Sequence, residues 1–444
     1  MTSSIPDLEA QLNDFDPQKR KQALQSLAVL AEQKEIILPP CGDEINLHCH
    51  TFFSFNTYGY SPSAIAWLSR KRGLVIAATI DFDNMDGAAE YLEAAALLGL
   101  RACTGIETRV FVPEYETKVI NSPGEPGVAY HIGIGFTPGK LPAAAIESLA
   151  RLRAMAGKRN LGLLAKVNAF LSPVVLDYEK EVLPLTPSGN ATERHICIAY
   201  AKKAAAYFNN DMEALGIFWS GKLGEDASKL DLPHGAKLQG KIRAKTMKKG
   251  GVGYVQPERD AFPLLRDANS FILASGALPV HCWLDGQSDG ERELEQLLTV
   301  SRDAGTAAFS VIPDSAYTAG DRTLKIKNLY SAVALADALG LPVMAGTEMN
   351  TAGQKFVDDF QSPELQPLHH IFLKSAFILY GHATLSRLLG MGYGSAWAAA
   401  HFTETGKKND FFRSVGEKLS PEQEKLLANL DSSATPANIL QRLG

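Results

Sequence analysis

A short pattern, repeated along the chain, limits the fold more than any single residue does. SPSAIAWLSRKRG, AAEYLEAAALLG, LLRDANSFILASG, LEQLLTVSRDAG and YSAVALADALG are helix-like stretches, and each ends in glycine. Each is followed by a short apolar strand: LVIAATI, LRACTGIETRVFV, ALPVHCW, TAAFSVI and LPVMAGTEM. Gly73, Gly99, Gly276, Gly305 and Gly340 stand where a helix stops most cheaply, because glycine takes the left-handed conformation without a Cβ clash. Repetition of helix, glycine and buried strand predicts a parallel β/α architecture.

The pattern divides the chain. Residues 1–40 read as an N-terminal helical segment ended by Pro39–Pro40, since proline cannot continue a helix. The β/α rhythm occupies 41–139, stops over 140–258, and resumes over 259–405. The interrupting stretch is helix-rich and polar, so it reads as an insertion into one barrel rather than a further domain. Residues 406–444 read as a helical tail.

Composition excludes several classes of protein. Lysine and arginine number 44 against 49 acidic residues, a net charge of -5, which argues against bulk electrostatic binding of nucleic acid. No apolar run reaches the ~18 residues of a membrane span, so no membrane partner is expected. The start MTSSIPDLEAQLNDFD lacks the basic and apolar segments of a secretion signal, and a cytoplasmic location is expected. The 5 cysteines have no CxxC spacing and suggest neither a disulfide framework nor a cysteine zinc site.

The chemistry lies at the ends of the strands. In Glu44-Ile-Asn-Leu-His-Cys-His50, alternation places His48 and His50 on one strand face, where two imidazoles can converge on one metal ion. Cys49, and later Cys282, are expected on the opposite faces, in packing. Glu107 ends Thr-Gly-Ile-Glu, His131 opens His-Ile-Gly-Ile-Gly-Phe, His281 ends Ala-Leu-Pro-Val-His, and Glu348 ends Ala-Gly-Thr-Glu. Each is a ligand-type residue near a strand end, and barrel active sites are built at the C-terminal ends of the strands.

These stretches resemble the PHP (polymerase and histidinol phosphatase) superfamily. The resemblance rests on LHCHTFFSF, ATIDFDNMDG, the GIE of residues 105–107, YHIGIGF, GALPVHCW and AGTEMN, in the family's order from about Asn46 to Asn350. ERHICIAYAKKA is similar to the helical insertion of PHP phosphoesterases. The resemblance implies a distorted seven-stranded β/α barrel carrying a metal-dependent phosphoesterase centre, with an inserted helical subdomain. It implies a first metal on His48, His50, Glu107 and Glu348, and a second on Glu107, His131 and His281. The positions of a third ion's ligands read Phe55–Asn56, Phe82 and Asn350, so two divalent ions (Zn, Mn or Fe) are expected, with Phe82 filling the space of the third.

Two cations at such a centre activate a hydroxide and clamp the attacking and leaving oxygens of a phosphoryl displacement. Glu107 is then the bridging catalytic carboxylate, and Asp81 and Asp83 are candidate general acids or ligand-orienting groups. The expected partner is a small phosphorylated substrate, including a nucleotide or short oligonucleotide. Arg194, His195, Lys325 and Lys327 are candidate phosphate binders. The cationic run Lys241, Arg243, Lys245, Lys248 and Lys249 reads as a solvated loop that could also steer a phosphate, and Phe52–Phe53 as packing or a platform for a base. One alternative is a non-catalytic PHP protein using a degenerate site for binding or regulation. Another is an amidohydrolase, which also uses HxH, although GTEMN supplies neither the usual bridging lysine nor the late aspartate.

Overall fold

A computed structural model describes residues 4–255, 261–314, 320–431 and 433–444. Seven strands form one sheet in chain order: β1 (Ile45–Asn46), β2 (Ile76–Phe82), β3 (Arg101–Phe111), β4 (Val128–Ile134), β5 (Leu278–Cys282), β6 (Ala308–Val311) and β7 (Val343–Ala345). The helices Pro62–Arg72, Ala88–Leu97, Leu265–Ala274, Leu294–Asp303 and Arg322–Ala338 fall where the repeat places them. The five glycines that end the helix-like stretches all have positive φ, from 65° at Gly99 to 102° at Gly305.

The sheet closes on itself. Leu47 N donates to Ala345 O at 2.9 Å, Thr347 N and Glu348 N donate to His48 O at 3.0 and 2.7 Å, and His50 N donates to Glu348 O at 2.8 Å. The chain beyond β1, which carries the histidines, is therefore sewn to the chain beyond β7. Gly346 is required at this seam, because a Cβ there would stand 2.3 Å from the His48 backbone nitrogen. The fold is thus an α/β barrel of seven strands.

The repeat predicts parallel pairing, found between β1 and β2, β2 and β3, β5 and β6, and β6 and β7, whereas β4, which lies outside the repeat, runs antiparallel to both β3 and β5. A parallel return needs a long crossover, usually helical. Residues 112–127 between β3 and β4 supply only a single 3₁₀ turn at Pro113–Tyr115. The strand therefore returns directly, and this distortion fixes which residues face the barrel interior.

The chain comprises two compact units. The first contains residues 1–51, 56–148 and 262–444, and with them the whole sheet. Its core includes Ile80, Ile132, Val280, Phe309 and Val343, and the helix Gln366–Leu389 contributes Phe372, Ala376 and Leu379. The second contains residues 52–55 and 149–261. It is helical, with Glu193–Tyr207, Met212–Leu223 and Ala236–Thr246 around Val167, Leu171, Ile196, Tyr200, Trp219 and Ile242. The expected boundary between residues 258 and 259 lies outside the described residues. No helix among the described residues is long and apolar enough to cross a membrane.

Candidate metal centre

His48, His50 and Glu107 come together at the C-terminal end of the strands. Their donor atoms lie within 4.8 Å of one another, and all three side chains are buried. The Nε2 atoms of His50 and His48 stand 3.1 and 3.5 Å from the same oxygen of Glu107. Both ring nitrogens of His48 are buried without a hydrogen-bond partner. Buried polar groups are normally satisfied, so unpaired imidazole nitrogens aimed at one carboxylate point to an absent ligand. Two nitrogen donors and an anionic oxygen suit a borderline divalent cation such as Zn or Fe.

The charges in this cluster act on one another. Burial pushes the Glu107 carboxyl up, but the adjoining His48 and His50 imidazoles outweigh it and hold the group at about 2. Burial pulls the His50 imidazole down, yet contact with Glu107, reinforced by Glu348 and Asp81, leaves it raised above its ordinary value.

The surrounding residues brace the ligands. Thr51, next to His50, donates to Asp81 through its backbone N at 2.8 Å and its hydroxyl at 2.6 Å. Asp83 accepts from the Thr108 hydroxyl at 2.6 Å, beside Glu107. Asn56 Nδ2 donates to His50 O at 2.8 Å, and Asn350 Nδ2 donates to the Glu348 carboxylate at 3.0 Å. At these two positions the resemblance implies ligands of a third ion, and here they are amides tying down ligand segments. Phe82 pairs in register with Glu107 and packs edge-to-face against Tyr130. Glu348 is half-buried beside His50, with φ of 60°, followed by Met349 at 60°. Two consecutive non-glycine residues in the left-handed region cost of order 1–3 kcal/mol each. The seam hydrogen bonds hold them there.

His131 and His281 do not join this cluster. Glu107 pairs with Ile132, and Ile132 with Val280, whereas His131 pairs with Thr108 and with His281. Residues paired directly across antiparallel strands share a face, and successive residues alternate. Both histidines therefore lie on the sheet face opposite Glu107. His131 Nε2 meets Asn269 Oδ1 at 2.6 Å, and His281 Nδ1 meets the Ser301 hydroxyl at 2.9 Å, both on covering helices. The Asn269 amide group also donates to Ala304 O, which fixes its oxygen toward His131 and makes His131 Nε2 the donor. His281 stacks on Phe309, with its Nε2 buried and unpartnered. Burial drives the pKa of His131 to about 4 and that of His281 to about 3, so both are neutral packing groups. The same register reverses the expectation for Cys282, which shares the Glu107 face.

The candidate phosphate binders are dispersed. His195, in the second unit, caps a helix: its Nδ1 accepts from Thr192 N at 3.1 Å, and burial takes its pKa down to about 4. Arg194 lies over the Phe55 ring at 5.7 Å within the same unit. Lys325 is buried and paired with Asp285 at 3.0 Å, while Lys327 is exposed. Lys241, Arg243 and Lys248 are tied to Glu225 and Glu193 at 2.7–2.9 Å. Phe52 and Phe53 are buried and pack edge-to-face on each other. Sequence reasoning missed Arg109, which lies two residues beyond Glu107 on the same strand and face. Its guanidinium pairs with Glu125 at 2.8 Å and covers the Phe262 ring at 4.5 Å. The signal was the alternation of GIETR itself.

No protein-family model matches the sequence, and no curated protein matches it either. Among solved structures, the chain is similar to an amidohydrolase from Chromobacterium violaceum, solved with bound sulfate and without metal. Identity is 18%, with 74% of this chain and 96% of that one covered and a TM-score of 0.49. A second similar structure is provisionally named a metal-dependent phosphoesterase, from Bifidobacterium adolescentis. It is 18% identical, with 75% of this chain and 97% of that one covered and a TM-score of 0.45.

Proposed function

We propose that this chain is a metal-dependent hydrolase acting on the phosphoester of a small metabolite or nucleotide. The observation that carries the reading is the buried convergence of His48 and His50 on Glu107 at the functional end of the barrel. A divalent cation bound there supplies Lewis acidity and makes a water nucleophilic at neutral pH. The chain's part is to fix the donors. His48 and His50 present imidazole nitrogens, Glu107 supplies a carboxylate, and Asp81 and Asn56 hold the segment that carries the histidines. Glu348 adds a second carboxylate beside His50.

The outward position of His131 and His281 favours a second reading, a metal-binding protein without hydrolytic activity, because a second ion lacks those histidines. Turnover separates the two. The purified chain, loaded with Zn or Mn, is assayed against a panel of phosphomonoesters and short oligonucleotides. Hydrolysis that is lost in His48→Ala and Glu107→Ala supports the hydrolase. A metal-loaded protein inert across the panel leaves the binding reading.

A further inference from the structure

We infer that Cys282, not His281, is the ligand that β5 contributes to this centre. The inference rests on the metal-centre reading above and names a further donor for it. Register carries the argument. Glu107, Ile132 and Val280 form one row across β3, β4 and β5, and Cys282 lies two residues beyond Val280. It therefore shares their face, two residues nearer the C-terminal end of β5. Alternate strands of a barrel fill one interior layer, and β1, β3 and β5 are such a set.

The side chain is 5% exposed, and its backbone is pinned on both sides. Asn121 Nδ2 donates to Cys282 O at 2.6 Å, and Trp283 N donates to Ser310 O at 3.0 Å. After burial, the groups that act most on the thiol are the Glu107 and Glu348 carboxylates, which raise its pKa further. The two unpartnered nitrogens of His48 supply the independent sign of a missing ligand in the same layer.

Cys282 is not among the three residues whose donors already lie within 4.8 Å of one another. It thus joins as a fourth donor after a side-chain rotation, or holds a second ion that shares Glu107. In either case coordination replaces the S–H bond with a metal–sulfur bond, and the proton leaves to solvent. A thiolate also narrows the choice of metal, because soft sulfur suits Zn, Co or Fe and disfavours Mn.

Cobalt(II) added to the full-length chain tests this without an activity assay. The expected result is a sulfur-to-cobalt charge-transfer band in the near ultraviolet, absent in Cys282→Ala and Cys282→Ser and retained in His281→Ala and Cys49→Ala. Cobalt affinity in Cys282→Ala should fall about 10-fold or more. Because the band is read first on the wild-type chain, the test survives a variant that folds poorly. Cobalt bound without the band, or a band that survives Cys282→Ala, overturns the ligand assignment and leaves the metal centre standing. A chain that binds no cobalt overturns both.

Discussion

The two pairs of histidines in the barrel have opposite fates. His48 and His50 lie beyond β1 and meet Glu107, whereas His131 and His281 sit on β4 and β5 and meet the amide and hydroxyl of covering helices. All four are buried. What separates them is one residue of register, because a strand's side chains alternate faces. A ligand-type residue near the correct end of a strand is thus only half of a site. The other half is the face it occupies, which is set by how its strand pairs with its neighbours.

This contrast is broken most directly by removing ligands from each pair. Glu107→Gln and His48→Ala should each lower zinc affinity by more than about 100-fold, beyond what loss of an outer-shell contact costs. His131→Ala and His281→Ala should leave it within a few-fold. Equilibrium dialysis with elemental analysis reads all four, and comparable losses in the second pair would overturn the register argument. The second pair should instead affect folding. Each of those substitutions removes a buried ring and strands a polar partner, so urea unfolding should show a loss of roughly 2–3 kcal/mol.

Asp81 sharpens the comparison at a smaller scale. It touches the centre through Thr51, so Asp81→Asn should weaken zinc binding by about 10-fold while leaving the ligands in place. Asp81→Ala should weaken it further, since both Thr51 donors then lose their acceptor. Equal stability of the two variants with unequal zinc affinity would show that Asp81 acts on the ligand segment rather than on the fold.

Much of this was legible in the chain. The glycine-terminated helices and the apolar strands gave the α/β barrel, because a C-terminal glycine and a short buried strand are local features with local causes. His48, His50 and Glu107 were legible as well, since each ends a clear hydrophobic run. The faces of His131, His281 and Cys282 were not. They depend on β4 returning antiparallel, which follows from residues 112–127 making only one 3₁₀ turn between neighbouring strands. Alternation within GALPVHCW correctly separates His281 from Cys282, but it cannot say which of the two faces inward. His195 shows a different limit: at the third helical position after Thr192, an imidazole can cap a helix as readily as it can touch a substrate.

The smallest of these tests follows from the opposite charge preferences of His50 and of the pair His131 and His281. Burial lowers the pKa values of His131 and His281 to about 4 and about 3, below the ordinary 6.5, so the unfolded chain takes up protons first as pH falls. Their contribution to stability is complete above pH 6.5 and declines by about 1.4 kcal/mol per pH unit for each ring, until the folded values are reached. His50 has the opposite sign. Its pKa is raised by Glu107, Glu348 and Asp81 against the pull of burial, so its contribution in the metal-free chain is present below pH 6.5 and is lost as pH rises through the folded value. Metal-free His281→Gln should therefore lose roughly 1 kcal/mol less stability than the parent chain between pH 7.5 and 5.5, and His50→Gln should lose more. Urea midpoints at the two pH values decide it, and identical slopes for the parent and His281→Gln would mean that His281 is not held neutral behind the sheet.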